Sequence, residues 1–292
     1  MNFKPMLSAT LEDPLRLTWP LLVSPKLDGI RCIIQNGVAV SRNLKPFRNA
    51  YVQETLRGLP HGIDGELIVG APNEGHVLGR TYSGVMSADG RPDFTFHVFD
   101  NAATPLEPFY VRWQLLHNLT HPAVSVVPHV SMNSVTEFLE YERDVLADGY
   151  EGVMLRGRFG RYKHGRASHN EQLLWKWKRF TDGEAIVETI EEGEHNVNVP
   201  TLDALGYAVR SKHQDGMKPN GQVGTIMGRD CASNTIIPIS PGRMSQDMRR
   251  HYWHNQKELI GKIVKYKSFD YGLKEASRFV TFQSFRDESD MS

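Results

Sequence analysis

The chain has 292 residues, enough for two ordinary domains, each with its own core. Its 34 basic and 34 acidic residues balance, so net charge announces neither a nucleic acid nor a membrane surface; the 40% hydrophobic and 23% charged content is that of a soluble globular protein. No apolar run reaches the length of a signal peptide or a membrane span, and two cysteines, Cys32 and Cys231, fit neither a disulfide framework nor a zinc spacing. No membrane partner is expected, and the expected compartment is the cytoplasm, or a host cytoplasm for a viral or phage chain.

The first half interleaves strands and helices. LLVSPK, IRCIIQ, VAVSR, GELIVG and FTFHVFD carry β-branched or aromatic residues between turn signals and read as strands. NAYVQETLRGL, PFYVRWQLLHNLT and SVTEFLEYERDVLADG carry helical patterns; in the last, Ser134 and Glu137 stand at capping-box spacing and Gly149 follows the end. This is the pattern of an α+β domain over residues 1–181. Beyond Thr181-Asp182-Gly183, a hinge candidate, EAIVETIEE, GYAVRSK, QVGTIMG, NTIIPIS, KIVKYKSF and RFVTFQSF read as strands, with a helix at SQDMRRHYWHNQKELI. About five strands and one helix in ~110 residues suit a small Greek-key β-barrel of the OB-fold type over residues 182–292. The polar stretch 193–221 exceeds the ~12–15 residues usual for an unstructured connection and is expected to be a flexible clamp or latch.

Charge is distributed in runs. Arg156, Arg158, Arg161, Lys163, Arg166, Lys176, Lys178 and Arg179 crowd one stretch, and Arg249, Lys262, Lys265, Lys267, Lys274 and Arg278 another. Either alone is what a solvated charged face looks like, yet phosphate contacts are local and need only such a run. Lys26 stands directly before the Asp28-Gly29 turn at the end of an apolar strand, where its amine can point into a cleft. An amine nucleophile must shed its proton near neutral pH, and neighbouring positive charge favours that. Lys176 and Lys178 alternate with Trp175 and Trp177, so on a strand both lysines face one side, able to clamp a phosphate and to depress the pKa of Lys26. Taken singly, K-x-D-G-x-R and K-x-K are common turns and strands.

Their order is more specific. Lys26-Leu27-Asp28-Gly29-Ile30-Arg31, Ser41-Arg42, Asp64-Gly65-Glu66, Phe99-Asp100, Glu151-Gly152-Val153-Met154 and Lys176-Trp177-Lys178 follow one another along the chain. The series resembles motifs I, Ia, III, IIIa, IV and V of the covalent nucleotidyltransferases, a superfamily of DNA ligases, RNA ligases and mRNA capping enzymes. The likeness is greatest to the compact two-domain ATP-dependent DNA ligases and runs almost end to end, from PMLSATLE to SRFVTFQSFRDESD, which is similar to their motif VI.

The resemblance implies a nucleotidyltransferase (adenylation) domain followed by an OB-fold domain. It also implies ATP and Mg²⁺ (or Mn²⁺) as cofactors and nicked double-stranded DNA as partner. No obligatory protein partner is implied, and the chain is expected to act as a monomer. Lys26 would take AMP, with Asp28, Arg31, Lys176 and Lys178 as its catalytic company. Glu66 would bind the ribose, Phe99 stack on adenine, and Glu151 help hold the metal. Arg31, Arg42 and Arg166 would engage the nucleotide or the 5′-phosphate of the nick, where a planar guanidinium grips two oxygens. Arg278 and Asp290, in motif VI, would orient pyrophosphate.

Each residue has a plainer competitor. Phe99 could be core, Glu151 a turn carboxylate, Arg166 a solvated charge and Asp28 a turn residue beside glycine. The alternative functions are RNA ligation or GTP-dependent mRNA capping on the same scaffold, and a non-catalytic nick-binding protein. No P-loop, G-x-S-x-G or dinucleotide fingerprint is present. His117 and His121 lack further ligands for zinc, and Cys32 is expected to be a packed thiol on the strand face opposite Arg31.

Overall fold

The computed structural model describes residues 3–74, 76–269 and 278–286. The chain divides into two compact units, one of Met1–Lys178 with Ala204–Gly206, the other of Arg179–Asp203 and Tyr207–Ser292. In the first, the strands are β1 (Ala9–Thr10), β2 (Leu21–Pro25), β3 (Ile30–Gln35), β4 (Val38–Ser41), β5 (Ile63–Val69), β6 (Phe94–Asn101), β7 (Val124–Val126), β8 (Val130–Met132), β9 (Val153–Gly157) and β10 (Leu174–Trp177). Helices α1 (Ala50–Thr55), α2 (Val77–Met86), α3 (Phe109–Leu116) and α4 (Val135–Ala147) lie between them.

These strands make two five-stranded sheets, ordered β1-β10-β9-β2-β8 and β4-β3-β5-β6-β7. Each has a core of its own. Ile34, Leu67, Phe96, Val98 and Leu116 are fully enclosed around the second sheet, while Val23, Phe138, Val153, Leu155 and Trp175 are enclosed around the first. The strict alternation along β6, with Phe94, Phe96, Val98 and Asp100 buried, is the period of a sheet covered on one face. Helix α4 begins where expected: Ser134 Oγ accepts from Glu137 N at 3.2 Å. The Glu137 carboxylate reaches one residue further back than a capping box does, to Asn133 N at 2.9 Å. Helix α2 shows no clear helical pattern in the sequence; its Gly79 and Gly84 lower helix propensity, and buried Val77, Thr81 and Val85 hold it against β5.

In the second unit the strands are β11 (Thr181–Asn196), β12 (Pro200–Leu202), β13 (Ala208–Arg210), β14 (Met217–Asp230), β15 (Ile236–Ile239), β16 (Ile263–Phe269) and β17 (Arg278–Phe285), with helix α5 (Gln246–His254). The main sheet is antiparallel, in the order β15-β14-β11-β16-β17. No closed barrel is present among the described residues. The two edge strands nevertheless meet, because Ser240 N donates to Val280 O and Phe282 N to Ser240 O, each at 2.9 Å. Ala185, Val187, Ile226, Ile239, Val264 and Phe282 fill the core.

Two expectations change here. The stretch 193–221 is not unstructured: the β11–β14 ladder continues to the pair Asn196↔Met217, and the β12–β13 hairpin occupies the tip. Sequence alternation misses it because the hairpin strands are exposed throughout and bury no face. Thr181, Asp182 and Gly183 lie inside β11, paired with Ser268, Lys267 and Tyr266, so the ladder ties down the hinge candidate. The residues 178–180 just before it belong to no strand.

Candidate active site

The first unit contains a cleft of about 840 Å³ between its two sheets. Lys26 follows β2, its backbone N–H held by Gly152 O at 2.8 Å. Its side chain reaches Glu151, donating from Nζ to Oε2, and Lys178 donates from its own Nζ to Oε1. One carboxylate, 4% exposed, thus lies between two ammonium groups. Lys176 lines the same cleft. Burial, then the positive charges of Lys26, Arg166 and Arg42, lower the Lys176 pKa. Trp175 turns the other way into the core, so the Lys/Trp alternation of β10 is the alternation of the pleat.

Gly29 immediately precedes β3 and donates its N–H to Glu66 Oε2 at 2.9 Å. A Cβ there would stand 2.6 Å from Leu67 O, so only glycine lets these backbones approach. Burial raises the Glu66 pKa, opposed by Lys26 and Arg31. Arg31 forks onto Asp64 with 2.5 and 2.6 Å contacts, and Tyr162 OH donates to the same carboxylate at 2.7 Å. Burial works against the Arg31 charge, but Asp64 outweighs it and holds the guanidinium above its usual range. The Arg31 guanidinium lies 4.7 Å from the centre of the Phe99 ring.

A second network lies beneath Phe99. Asp100 accepts from Arg156 at 2.6 Å and from Arg112 at 2.8 Å, with all three side chains buried. Burial would raise the Asp100 pKa, but Arg156 and Arg112 hold it below the ordinary carboxylate range. Sequence placed Arg156 in a basic run that looks like a solvated or phosphate-contacting face, whereas it is buried and paired; Arg112 had no role in that reading. The available signal was a charge within an apolar strand, as in FTFHVFD and VMLRG, since a buried charge must be paired.

The cleft therefore brings together Lys26, Arg31, Arg42, Glu66, Phe99, Arg166, Lys176 and Lys178, with Glu151 on two of its lysines. Arg166 is positioned by its hydrogen bond to Ser8 O at 2.8 Å. Met6, Leu7 and Ser8 form part of the wall, a contribution no motif announces. Asp28 sits in the turn between β2 and β3 and is not among the lining residues. Arg278 begins β17; its side chain, and all of Asp290, lie outside the described residues. Cys32 is enclosed in the core, where burial pushes its thiol up.

Among the described residues no group of three or more His, Cys, Asp or Glu side chains could hold a metal alone. Magnesium needs no such group, since it is commonly bound by one or two carboxylates together with substrate phosphates and water. Glu151 beside a cation-lined cleft fits that mode. Among the described residues no helix is long and apolar enough to cross a membrane.

A family model described as "ATP dependent DNA ligase domain" matches residues 5–178. The chain is similar to a Chlorella virus DNA ligase-adenylate structure at 33% identity, covering 99% of each chain with a TM-score of 0.55. It shares the fold of a Lig E DNA ligase, described as binding DNA with a minimal scaffold, at 23% identity and TM-score 0.73, covering 97% of this chain and 99% of that one. No curated protein matches.

Proposed function

The chain belongs to the ATP-dependent DNA ligase family, and from that premise we propose how its cleft makes and transfers an adenylate. It is an enzyme that uses ATP and seals nicks in duplex DNA. The observation that carries the residue assignments is the Lys26–Glu151–Lys178 cluster in a cleft also lined by Arg31, Arg42, Arg166 and Lys176.

In the first step Lys26 attacks the α-phosphate of ATP as the free amine. A nitrogen–phosphorus bond forms and the bond to pyrophosphate breaks. Glu151 is the acceptor that the departing proton faces. Lys176 and Lys178 neutralise charge building on the α-phosphate, a role for cations already in place before the reaction. Phe99 stacks on the adenine, Glu66 receives the ribose, and Asp28 helps to orient the Lys26 turn. Arg31 is kept rigid by Asp64 and meets the nucleotide with Arg166. A divalent cation, Mg²⁺ or Mn²⁺, held by Glu151 and the phosphates would supply further neutralisation.

In the second step the 5′-phosphate of the nick, gripped by Arg31, Arg42 and Arg166, takes AMP from Lys26. In the third the 3′-hydroxyl displaces AMP and closes the backbone. Residues 1–181 act as the adenylation domain and 182–292 as an OB-fold domain; the contact between the edge strands at Ser240 supports the barrel reading. Arg278 and Asp290 orient pyrophosphate. The segment 193–221 serves as a DNA latch, residues 178–180 as the hinge, and the protein works as a cytoplasmic monomer without an obligatory protein partner.

The test is incubation with Mg²⁺ and α-labelled ATP or GTP, followed by a nicked duplex. Label should join the wild-type protein from ATP and leave as the nick closes, while Lys26→Ala stays unlabelled. A labelled Lys26→Ala protein would overturn the assignment. An adduct discharged only by RNA would overturn the substrate.

A further inference from the structure

The turn that follows β9 displays an aromatic side chain. Phe159 is 71% exposed, although phenylalanine is ordinarily enclosed. It packs edge to face on Tyr110 of α3, with ring centres 5.8 Å apart at 83°. The Arg158 guanidinium lies 5.5 Å from the Tyr110 ring centre and 5.8 Å from that of Phe159. Arg161 follows on the same turn; both arginines are exposed, and neither forms an ion pair among the described residues.

The backbone beneath is firmly held. Gly160 N donates to Gly157 O at 2.9 Å, and Tyr110 N to Arg158 O at 3.1 Å. Tyr162 N donates to Pro105 O at 2.8 Å. Arg112, itself anchored on Asp100, donates to Gly160 O at 3.0 Å. The ring is therefore presented on a braced turn, which lowers the ordering cost of using it in binding.

We propose that Phe159, Tyr110 and Arg158 form a platform for an unpaired nucleotide, with Arg158 and Arg161 meeting the adjoining phosphates. An exposed aromatic face beside unpaired arginines suits single-stranded nucleic acid, whose bases are free to stack, whereas duplex bases already cover one another. Phosphates complement the two arginine charges; a purely apolar partner would leave them facing oil. The platform lies beyond the far end of β9 from Glu151, and that strand alone, Val153 to Gly157, covers roughly 13 Å at ~3.3 Å per residue. On nucleic acid rising ~3.4 Å per step, that corresponds to about four or more nucleotides from the sealing point. Single-stranded DNA flanking a nick is the substrate feature it would read, which rests on the DNA ligase reading above.

The test compares two nicked substrates, one fully duplex and one whose template becomes single-stranded about four nucleotides from the nick, a spacing set by that rise. Binding is followed by fluorescence anisotropy and sealing by gel, for wild type, Phe159→Ala, Phe159→Trp and Arg158→Ala, with melting temperature and light scattering on each. Phe159→Ala should lose at least about fivefold in affinity for the partly single-stranded substrate, the lower end of one base stacked on an aromatic. Phe159→Trp should restore it, and sealing of the full duplex nick should not change. Equal affinity of wild type and Phe159→Ala for both substrates overturns the platform. So does self-association of the wild type that Phe159→Ala abolishes, which would make the patch an interface between copies. If wild type seals neither nick, the ligase reading fails first, and the anisotropy still reports on the platform.

Discussion

Changing Asp100 to Asn removes the negative charge shared by two buried guanidinium groups. Asp100 is 0% exposed, Arg112 1% and Arg156 4%, so water cannot take over the lost role. Arg112 retains Glu107 O and Gly160 O as acceptors, whereas the hydrogen bond of Arg156 among the described residues is the one to Asp100. Removing one member of a buried pair typically costs ~3–5 kcal/mol. Asparagine keeps the shape and one acceptor oxygen, which puts the expected loss near ~3 kcal/mol, at the low end of that range. Urea unfolding by tryptophan fluorescence reads it in the right place, since Trp19, Trp113, Trp175 and Trp177 all lie in the first unit. The sign in acid is also fixed. A carboxyl held below its usual range in the fold stabilises above the unfolded pKa of ~3.9, and that contribution fades as pH falls through the folded value. Wild type and variant should therefore differ by a constant amount from neutral pH down to about pH 5 and converge in stronger acid. A variant within about 1 kcal/mol of wild type at pH 7, or a gap that stays open in acid, would refute the argument.

Further predictions follow from other parts of the first unit and from the hairpin. Gly29→Ala must push β3 away from Leu67 O, 2.6 Å from the new Cβ, and spoil the Gly29–Glu66 bond; lysyl-AMP formation should fall by ~10²-fold, as for an ångström-scale misplacement, and an unchanged rate in a single-turnover assay would contradict it. Burial lowers His129 from 6.5 to about 3 and His97 to about 4, so both stay neutral while unfolded imidazoles protonate. The unfolded chain then binds more protons below ~6.5, and each histidine should cost about 2 kcal/mol of stability by pH 5. Calorimetry in buffers of different ionisation heat should register close to two protons taken up on unfolding at that pH; no uptake would mean that the rings are already charged. Joining Asn196 to Met217 by a short Gly-Ser linker deletes the β12–β13 hairpin at the natural end of its ladder. The adduct should still form while affinity for nicked duplex drops, and unaltered DNA binding would remove the latch.

That the candidate residues meet in one cleft was largely legible because they occupy strand ends and turns, where short motifs fix both spacing and facing. Lys26, Gly29 and Arg31 are placed by one β2–β3 turn, and Lys176 by the pleat of β10. What escaped depends on distance along the chain. Asp64 and Asp100 stood within quoted motifs, yet nothing local indicates that they receive Arg31, Tyr162, Arg112 and Arg156. The two-residue β1 is too short to show a period. In the second unit the strands with a buried face were readable, whereas the hairpin and the continuous β11 were not, since alternation reports burial and not hydrogen bonding.

The wall at Met6–Ser8 has a consequence for biosynthesis. Leu7 bridges to Arg166, Ala9 and Thr10 pair with Trp175 and Lys176, and Met6 N is held by Tyr162 OH. This early segment of the unit therefore waits for some of the unit's last residues. Until about Lys178 has been made, a nascent chain contains the proposed nucleophile, Lys26, but neither the lysines opposite it nor a finished wall. Such long-range closure is slow to form and is lost as a whole. Nucleotide chemistry should thus appear at once on completion of the unit, with no partially competent fragment before it.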